Sequence, residues 1–483
     1  MTYRKNQKVI VTIEDIGMNG EGIGRIDGYT LFVKDAIVGD TVEAGLTKVK
    51  KTYAFACLLQ ILKPSADRIT PPCHAHRQCG GCQIQAMSYP AQLVFKQNKV
   101  KNNLMRIGGV SENRLDQIME EIVGMEDERP DAVGRGFRYR NKAQYPVGMD
   151  RNGEIIAGFY AGRTHSIIRT EDCLLGQEEN REIIDTILRH MQTYRIPPYQ
   201  EEQKSGVVRH VMIRKGFSSG QILVCIVATQ KELPAQERLI NALQNIPQMT
   251  SIYLNVQKED TNVILGAEDI LLWGTQTIED TIRLCDAQKG FAPTHEALYY
   301  AISPHSFYQV NPAQTERMYS QALEYAGLTG KETVWDLYCG IGTISLFMAK
   351  RAKQVIGVEI VQQAVNDARE NAKRNGIENV EFIAGKAEEV LPSYYEKTEG
   401  SLRHPDVIVV DPPRKGCDML CLETMAKMQP EKIVYVSCDP ATLARDIKYL
   451  SENGYTLTKV RAFDNFPQTI HIETVCLLTL EKL

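Results

Sequence analysis

The chain has 483 residues, 43% of them hydrophobic and 24% charged, with a net charge of −4 at pH 7. That length predicts two or three domains, and that balance excludes a disordered, collagenous or repeat-only protein. No apolar run reaches the roughly eighteen residues needed to span a membrane, and the amino terminus lacks a signal-peptide pattern, so a cytosolic protein is expected.

Residues 1–62 read as short strands. Val9, Val11 and Ile13 alternate with polar neighbours, followed by Tyr29, Leu31 and Val33, then Val42 and Ala44, then Ala54, Ala56 and Leu58, with glycines between the groups. This pattern predicts a small β-barrel, either of the OB kind often used on RNA or an SH3-like barrel with a structural role.

A Pro-containing connection leads to Cys73, Cys79 and Cys82. A reducing compartment does not favour structural disulfides, and most of the twelve cysteines can be plain buried thiols. Three thiols this close together are different, because they have the spacing of metal ligands. A fourth partner is needed, and Cys173 lies beside a basic stretch. Zinc and an iron–sulfur cluster both suit four thiolates, and His74 and His76 keep a Cys/His zinc site open.

Residues 88–107 predict a helix with a basic face. Residues 63–110 hold seven Lys and Arg against Asp67 alone, and residues 134–169 hold seven against Asp150 and Glu154. Such local faces can hold a polyanion although the whole chain is slightly acidic; the plainer alternative is a solvated surface. The mixed strand and helix patterns of residues 120–290 predict an α+β domain.

Beyond residue 301 the rhythm changes. Short apolar runs without alternation (333–337, 354–359, 380–384, 407–410, 433–437) are separated by helical stretches, as in a doubly wound parallel sheet. The first run opens into Tyr338-Cys339-Gly340-Ile341-Gly342, and Glu359 closes the second. A glycine turn at a helix amino terminus admits a nucleotide-like ligand, and the acid can accept from ribose hydroxyls. Ser345 stands where a dinucleotide fold would carry its third glycine, so the loop suits S-adenosylmethionine better than NAD.

The fourth run ends in Asp411-Pro412-Pro413-Arg414 and the fifth in Ser437-Cys438-Asp439-Pro440. A rigid acidic loop and a cysteine at a helix amino terminus, where a thiolate is favoured, meet at the ligand-binding edge of such a sheet. Carbon 5 of uracil is too poor a nucleophile to take a methyl group directly. A thiolate adding at carbon 6 places electron density on carbon 5. Cys438 fits that nucleophile, and Glu473, in His471-Ile472-Glu473, fits the base that removes the carbon 5 proton.

Taken together, these motifs resemble the RNA 5-methyluridine methyltransferases, specifically the bacterial 23S ribosomal RNA branch, over almost the whole chain. The matching segments are Asp336–Gly342, Phe307-x-Gln309-x-Asn311-Pro312, Asp411–Arg414, Cys438 and Glu473. The resemblance implies a TRAM-type OB-like barrel (1–62), a cluster-bearing α+β central RNA-binding domain (63–290) and a Rossmann-like class I methyltransferase domain of α/β class (291–483). It implies S-adenosylmethionine held by Gln309, Tyr338, Glu359 and Asp411, and a 4Fe-4S cluster on Cys73, Cys79, Cys82 and Cys173. It further implies a monomer acting in the cytoplasm on 23S ribosomal RNA. The alternatives are the same reaction on transfer RNA, or an RNA-binding iron–sulfur protein without catalysis.

Overall fold

The computed structural model describes residues 3–126, 136–162, 164–397 and 405–481. Five strands, β1 (Lys8–Ile16), β2 (Gly22–Ile26), β3 (Tyr29–Lys34), β4 (Thr41–Val49) and β5 (Tyr53–Lys63), close into a barrel in the order β1-β2-β3-β5-β4. Alternation sends Val11, Ile13, Leu31, Val33, Val42 and Ala54 inward. Gly24 is required at the β1–β2 crossing, where a Cβ would lie 2.4 Å from the Thr12 carbonyl oxygen.

After the cysteine segment come helices α1 (Tyr89–Arg106) and α2 (Glu112–Ile118). Their apolar faces do not turn back to the barrel. Val100, Leu104, Leu115 and Ile118 join the core that also holds Trp335, Leu337, Tyr455 and Val460.

The central sheet is built from β6 (Lys142–Met149), β7 (Ile155–Tyr160), β8 (Ile167–Arg169), β9 (Val208–Lys215), β10 (Ile222–Ala228), β11 (Met249–Val256) and β12 (Glu268–Gly274), in the order β12-β11-β10-β9-β6-β7-β8. Helices α3 (Glu179–Thr193) and α4 (Gln236–Leu243) cover it, packing Ile183, Ile187, Leu239 and Leu243 onto Val211, Val224 and Leu254. A hairpin, β13 (Ile278–Asp286) and β14 (Ala292–Ile302), follows; Ile282, Leu298 and Tyr300 carry it into the core of the last domain.

That domain comprises α5 (Pro312–Ala326), β15 (Thr333–Leu337), α6 (Thr343–Ala349), β16 (Gln354–Glu359), α7 (Gln362–Arg374), β17 (Val380–Ala384), α8 (Ala387–Lys397), β18 (Val407–Val410), α9 (Met419–Met428), β19 (Lys432–Ser437), α10 (Pro440–Glu452), β20 (Tyr455–Phe463) and β21 (Glu473–Leu480). Its sheet runs β17-β16-β15-β18-β19-β21-β20. The first five are mutually parallel, whereas β21 is antiparallel to both its neighbours. Helices on both faces explain why β15, β18 and β19 are buried along almost their whole length. Strand order reverses beside β15, so the carboxyl ends of β15, β16, β18 and β19 surround the crevice where open α/β sheets bind ligands. Among the described residues no helix is long and apolar enough to cross a membrane.

Candidate active site and thiol cavity

The β15–α6 turn is tightly tied. Glu359, the last residue of β16, accepts the Gly340 amide at 3.0 Å on one carboxylate oxygen and the Val361 amide at 2.9 Å on the other. Gly342 caps α6 with a φ of +82°, and a Cβ there would meet the Phe382 ring at 2.9 Å. Ser345 has its own role: its hydroxyl donates to the buried Asp336 carboxyl at 2.5 Å. Burial pushes Asp336 up to about 7 despite that bond. Tyr338 adopts a positive φ of 70°, and its ring leans towards Cys417 and Cys421.

Asp411 follows β18, and burial raises its carboxyl to about 7. The loop after it is fixed from below. Fully buried Asp446 on α10 accepts the Cys417 amide at 2.9 Å and the Tyr435 hydroxyl at 2.6 Å. Gln309 approaches from the other side and bonds the buried hydroxyl of Tyr319, which also faces Asp411 and Glu473. Tyr319 went unread in the sequence because it has the spacing of an ordinary core residue of α5.

Cys438 lies one residue past β19, and Asp439 caps α10 by accepting the Ala441 and Thr442 amides at 2.9 and 3.0 Å. In the β19–β21 pairing Ser437 sits opposite Thr474, which leaves Cys438, just after Ser437, close to Glu473, just before Thr474, so that the Glu473 charge acts on the Cys438 thiol. Glu473 is 4% exposed, and burial first, then Asp411, raise its carboxyl well above the usual range, with Arg414 opposing. A thiolate favoured by the helix terminus is not what results. Burial, then Glu473 and Asp411, push the Cys438 thiol up to about 12, and Arg414 offsets only part of this. The helix terminus is already satisfied by Asp439, and two carboxyls outweigh it.

Cys438 opens into a cleft of about 450 Å³. Its walls are the β1–β2 turn of the barrel with Met18 and Asn19, the α1 residues Lys99, Asn102 and Arg106, Arg414, and His471. Barrel, helix and sheet edge therefore converge over one thiol. The basic face of α1 expected from the sequence lines this cleft.

The four expected metal-ligand cysteines also come together. Cys73, Cys79, Cys82 and Cys173 line one cavity of about 260 Å³ with His76, Arg140 and Lys142. Their thiols are free, and burial, reinforced by their neighbouring sulfurs, raises Cys79, Cys82 and Cys173. The Gly81 amide donates to Cys79 Sγ at 3.4 Å, and the Gly176 amide donates to the Cys173 carbonyl at 2.8 Å. Among the described residues no three Cys, His, Asp or Glu side chains converge on a point that would hold a single metal ion. Four thiols around one cavity, with the Gly81 amide and the Arg140 cation beside them, are a donor set that would suit a 4Fe-4S cluster.

Residues 293–481 match the family model described as tRNA (Uracil-5-)-methyltransferase, and residues 4–59 match the TRAM domain. An uncharacterized RNA methyltransferase of Clostridium tetani is 46% identical over 99% of this chain and 97% of its own length. Another from Listeria innocua is 46% identical, covering 99% of each chain. Among solved structures, the Pyrococcus abyssi tRNA (uracil-54, C5)-methyltransferase in complex with S-adenosyl-L-homocysteine superposes with a TM-score of 0.72. That match has 24% identity and covers 97% of this chain and 99% of the other.

Proposed function

The chain belongs to the RNA methyltransferases that carry a uracil-5-methyltransferase domain and a TRAM domain, and we propose that it transfers a methyl group from S-adenosylmethionine to carbon 5 of a uridine in 23S ribosomal RNA. The observation that carries this reading is the placement of Cys438 beside Glu473 and Asp411 at the ends of β19, β21 and β18.

The Cys438 thiol loses its proton to water in the open cleft, and the sulfur bonds to carbon 6 of the uracil, leaving an enolate. Carbon 5 takes the methyl group as the sulfonium–methyl bond breaks, releasing S-adenosylhomocysteine. Glu473 removes the carbon 5 proton, the double bond re-forms and the sulfur–carbon bond breaks. Burial gives the Glu473 carboxyl a strong hold on a proton. That suits it to accept one from carbon, with Arg414 as the cation that favours its ionised form beforehand.

S-adenosylmethionine is held by Gln309, Tyr338, Glu359 and Asp411. Cys73, Cys79, Cys82 and Cys173 hold a 4Fe-4S cluster, which supplies a rigid crosslink between segments far apart in sequence. The protein works as a cytoplasmic monomer.

Transfer RNA is the second reading. It is favoured by the full-length likeness to a protein described as a tRNA methyltransferase, because the three-part build is then compatible with either RNA. Mass spectrometry of 5-methyluridine in separated ribosomal and transfer RNA, from cells with and without this protein, tests both. Loss from the 23S fraction supports the first reading, loss from transfer RNA the second, and loss from neither overturns both.

A further inference from the structure

We propose that His471 reads the pyrimidine ring that docks against Cys438, donating a ring N–H to the oxygen on carbon 4; the inference rests on the uridine reading above. His471 shares the 450 Å³ cleft with Cys438 and Arg414. Its amide donates to the Thr469 hydroxyl at 3.2 Å, and the edge of its ring meets Phe466 with centroids 6.1 Å apart. These contacts fix the ring while committing neither nitrogen. Among the described residues no hydrogen bond reaches the imidazole nitrogens.

The charge around the ring selects its role. Burial first, then Arg414, Lys99, Lys96 and Arg140, hold the imidazole down to about 4, so it is neutral in the working range. A neutral imidazole is a poor phosphate ligand, and the cleft already offers Lys99, Arg106 and Arg414 for phosphates. What it offers is one donor and one acceptor, the equipment for the polar edge of a base. Addition of sulfur at carbon 6 drives an electron pair through the ring onto the oxygen at carbon 4. A donor at that oxygen therefore binds more tightly as the reaction proceeds. The surrounding cations favour the same developing negative charge. Cytosine presents an amino group at this position and would meet a donor with a donor.

The test uses the full-length protein and RNA transcribed with 5-fluorouridine, both 23S and bulk transfer RNA, with the rate of covalent adduct formation as the readout. His471→Phe keeps an aromatic ring against Phe466 but has no donor; it should slow adduct formation by roughly 100-fold. His471→Asn restores an N–H and should recover to within about tenfold of wild type, with unchanged S-adenosylmethionine affinity and melting temperature in both. Wild-type rates in His471→Phe overturn the inference. So does His471→Asn behaving like His471→Phe, because shape or imidazole chemistry would then matter and donation would not. Fast adduct formation followed by accumulation of a methylated crosslink on ordinary uridine also overturns it, by placing His471 in proton removal. No adduct with wild-type protein on either RNA is a distinct result: it overturns the uridine reading, and this inference with it.

Discussion

Lys96 Nζ lies 2.5 Å from Asp464 Oδ1, and both side chains are entirely removed from solvent. The pair joins α1 to the segment 464–472 that delivers Glu473, and Lys96 also donates to the Phe466 carbonyl at 3.0 Å. Gln92 and Gln468 exchange two hydrogen bonds, and Lys99 donates to the Ile470 carbonyl at 2.9 Å. A helix whose other face lines the Cys438 cleft is thus the clamp on the loop carrying the proposed base.

Lys96→Met should therefore leave an uncompensated buried carboxylate. Breaking one side of a buried pair costs about 3–5 kcal/mol, and replacing both partners costs much less. Denaturant unfolding should show that loss for Lys96→Met and partial recovery for Lys96→Met combined with Asp464→Leu. A loss below about 1 kcal/mol in the single variant would mean the pair does not hold the segment.

The raised Cys438 thiol has a signature in the free protein. With a pKa near 12 the thiol is neutral at pH 7, and its thiolate fraction grows tenfold per pH unit until that value is approached. Iodoacetamide labelling of Cys438, followed by peptide mass spectrometry, should rise steadily from pH 7 to pH 10 without a plateau. Arg414 is the cation that lowers this thiol, so Arg414→Gln should slow labelling further. A plateau near pH 7 would show a preformed thiolate and contradict the electrostatic picture.

The two chemical roles separate by what accumulates. Cys438→Ala should abolish methyl transfer and the covalent adduct with 5-fluorouridine RNA while leaving S-adenosylmethionine binding nearly intact. Glu473→Gln keeps the thiol but cannot take the carbon 5 proton, so a methylated protein–RNA crosslink should build up on ordinary uridine. Turnover by Cys438→Ala would exclude the covalent route, and wild-type turnover by Glu473→Gln without crosslink would move the base elsewhere.

The parallel strands were legible because burial on both faces leaves an unmistakable mark: β15, β16, β17 and β18 begin and end at the residues expected from the sequence. The barrel was legible through its alternation. The hairpin β13–β14 and the insertion of β21 between β19 and β20 were not, because both depend on pairings between segments whose local patterns name no partner. The same limit applies at the site. Cys438 and Glu473 stand out as residue types in motifs, but their closeness is a property of the antiparallel β21. The raised thiol was not legible, because a helix terminus is visible in sequence and the converging carboxyls of Glu473 and Asp411 are not. His471 lay inside a motif already singled out, and only the cleft shows what it faces.

The thiol cavity is bound to the active site through Gln83 and Ile84, which immediately follow Cys82. Ile84 donates its amide to the Gln468 carbonyl at 3.2 Å, and the Gln83 side chain accepts the Ile470 amide at 3.4 Å. From the other wall Tyr139, next to Arg140, donates to the Pro467 carbonyl at 3.2 Å. Anaerobically purified protein should accordingly be brown, with about four irons per chain. Serine at Cys73, Cys79, Cys82 or Cys173 should bleach it, whereas serine at Cys225 or Cys285, which lie away from the cavity, should not. Because the cavity braces the 467–470 segment, the bleached variants should lose RNA binding and thermal stability while retaining S-adenosylmethionine binding at the distant β15–α6 turn. A colourless protein with one stoichiometric zinc and full activity would decide for a zinc site, and a bleached variant with unchanged melting temperature would show that the cluster braces nothing.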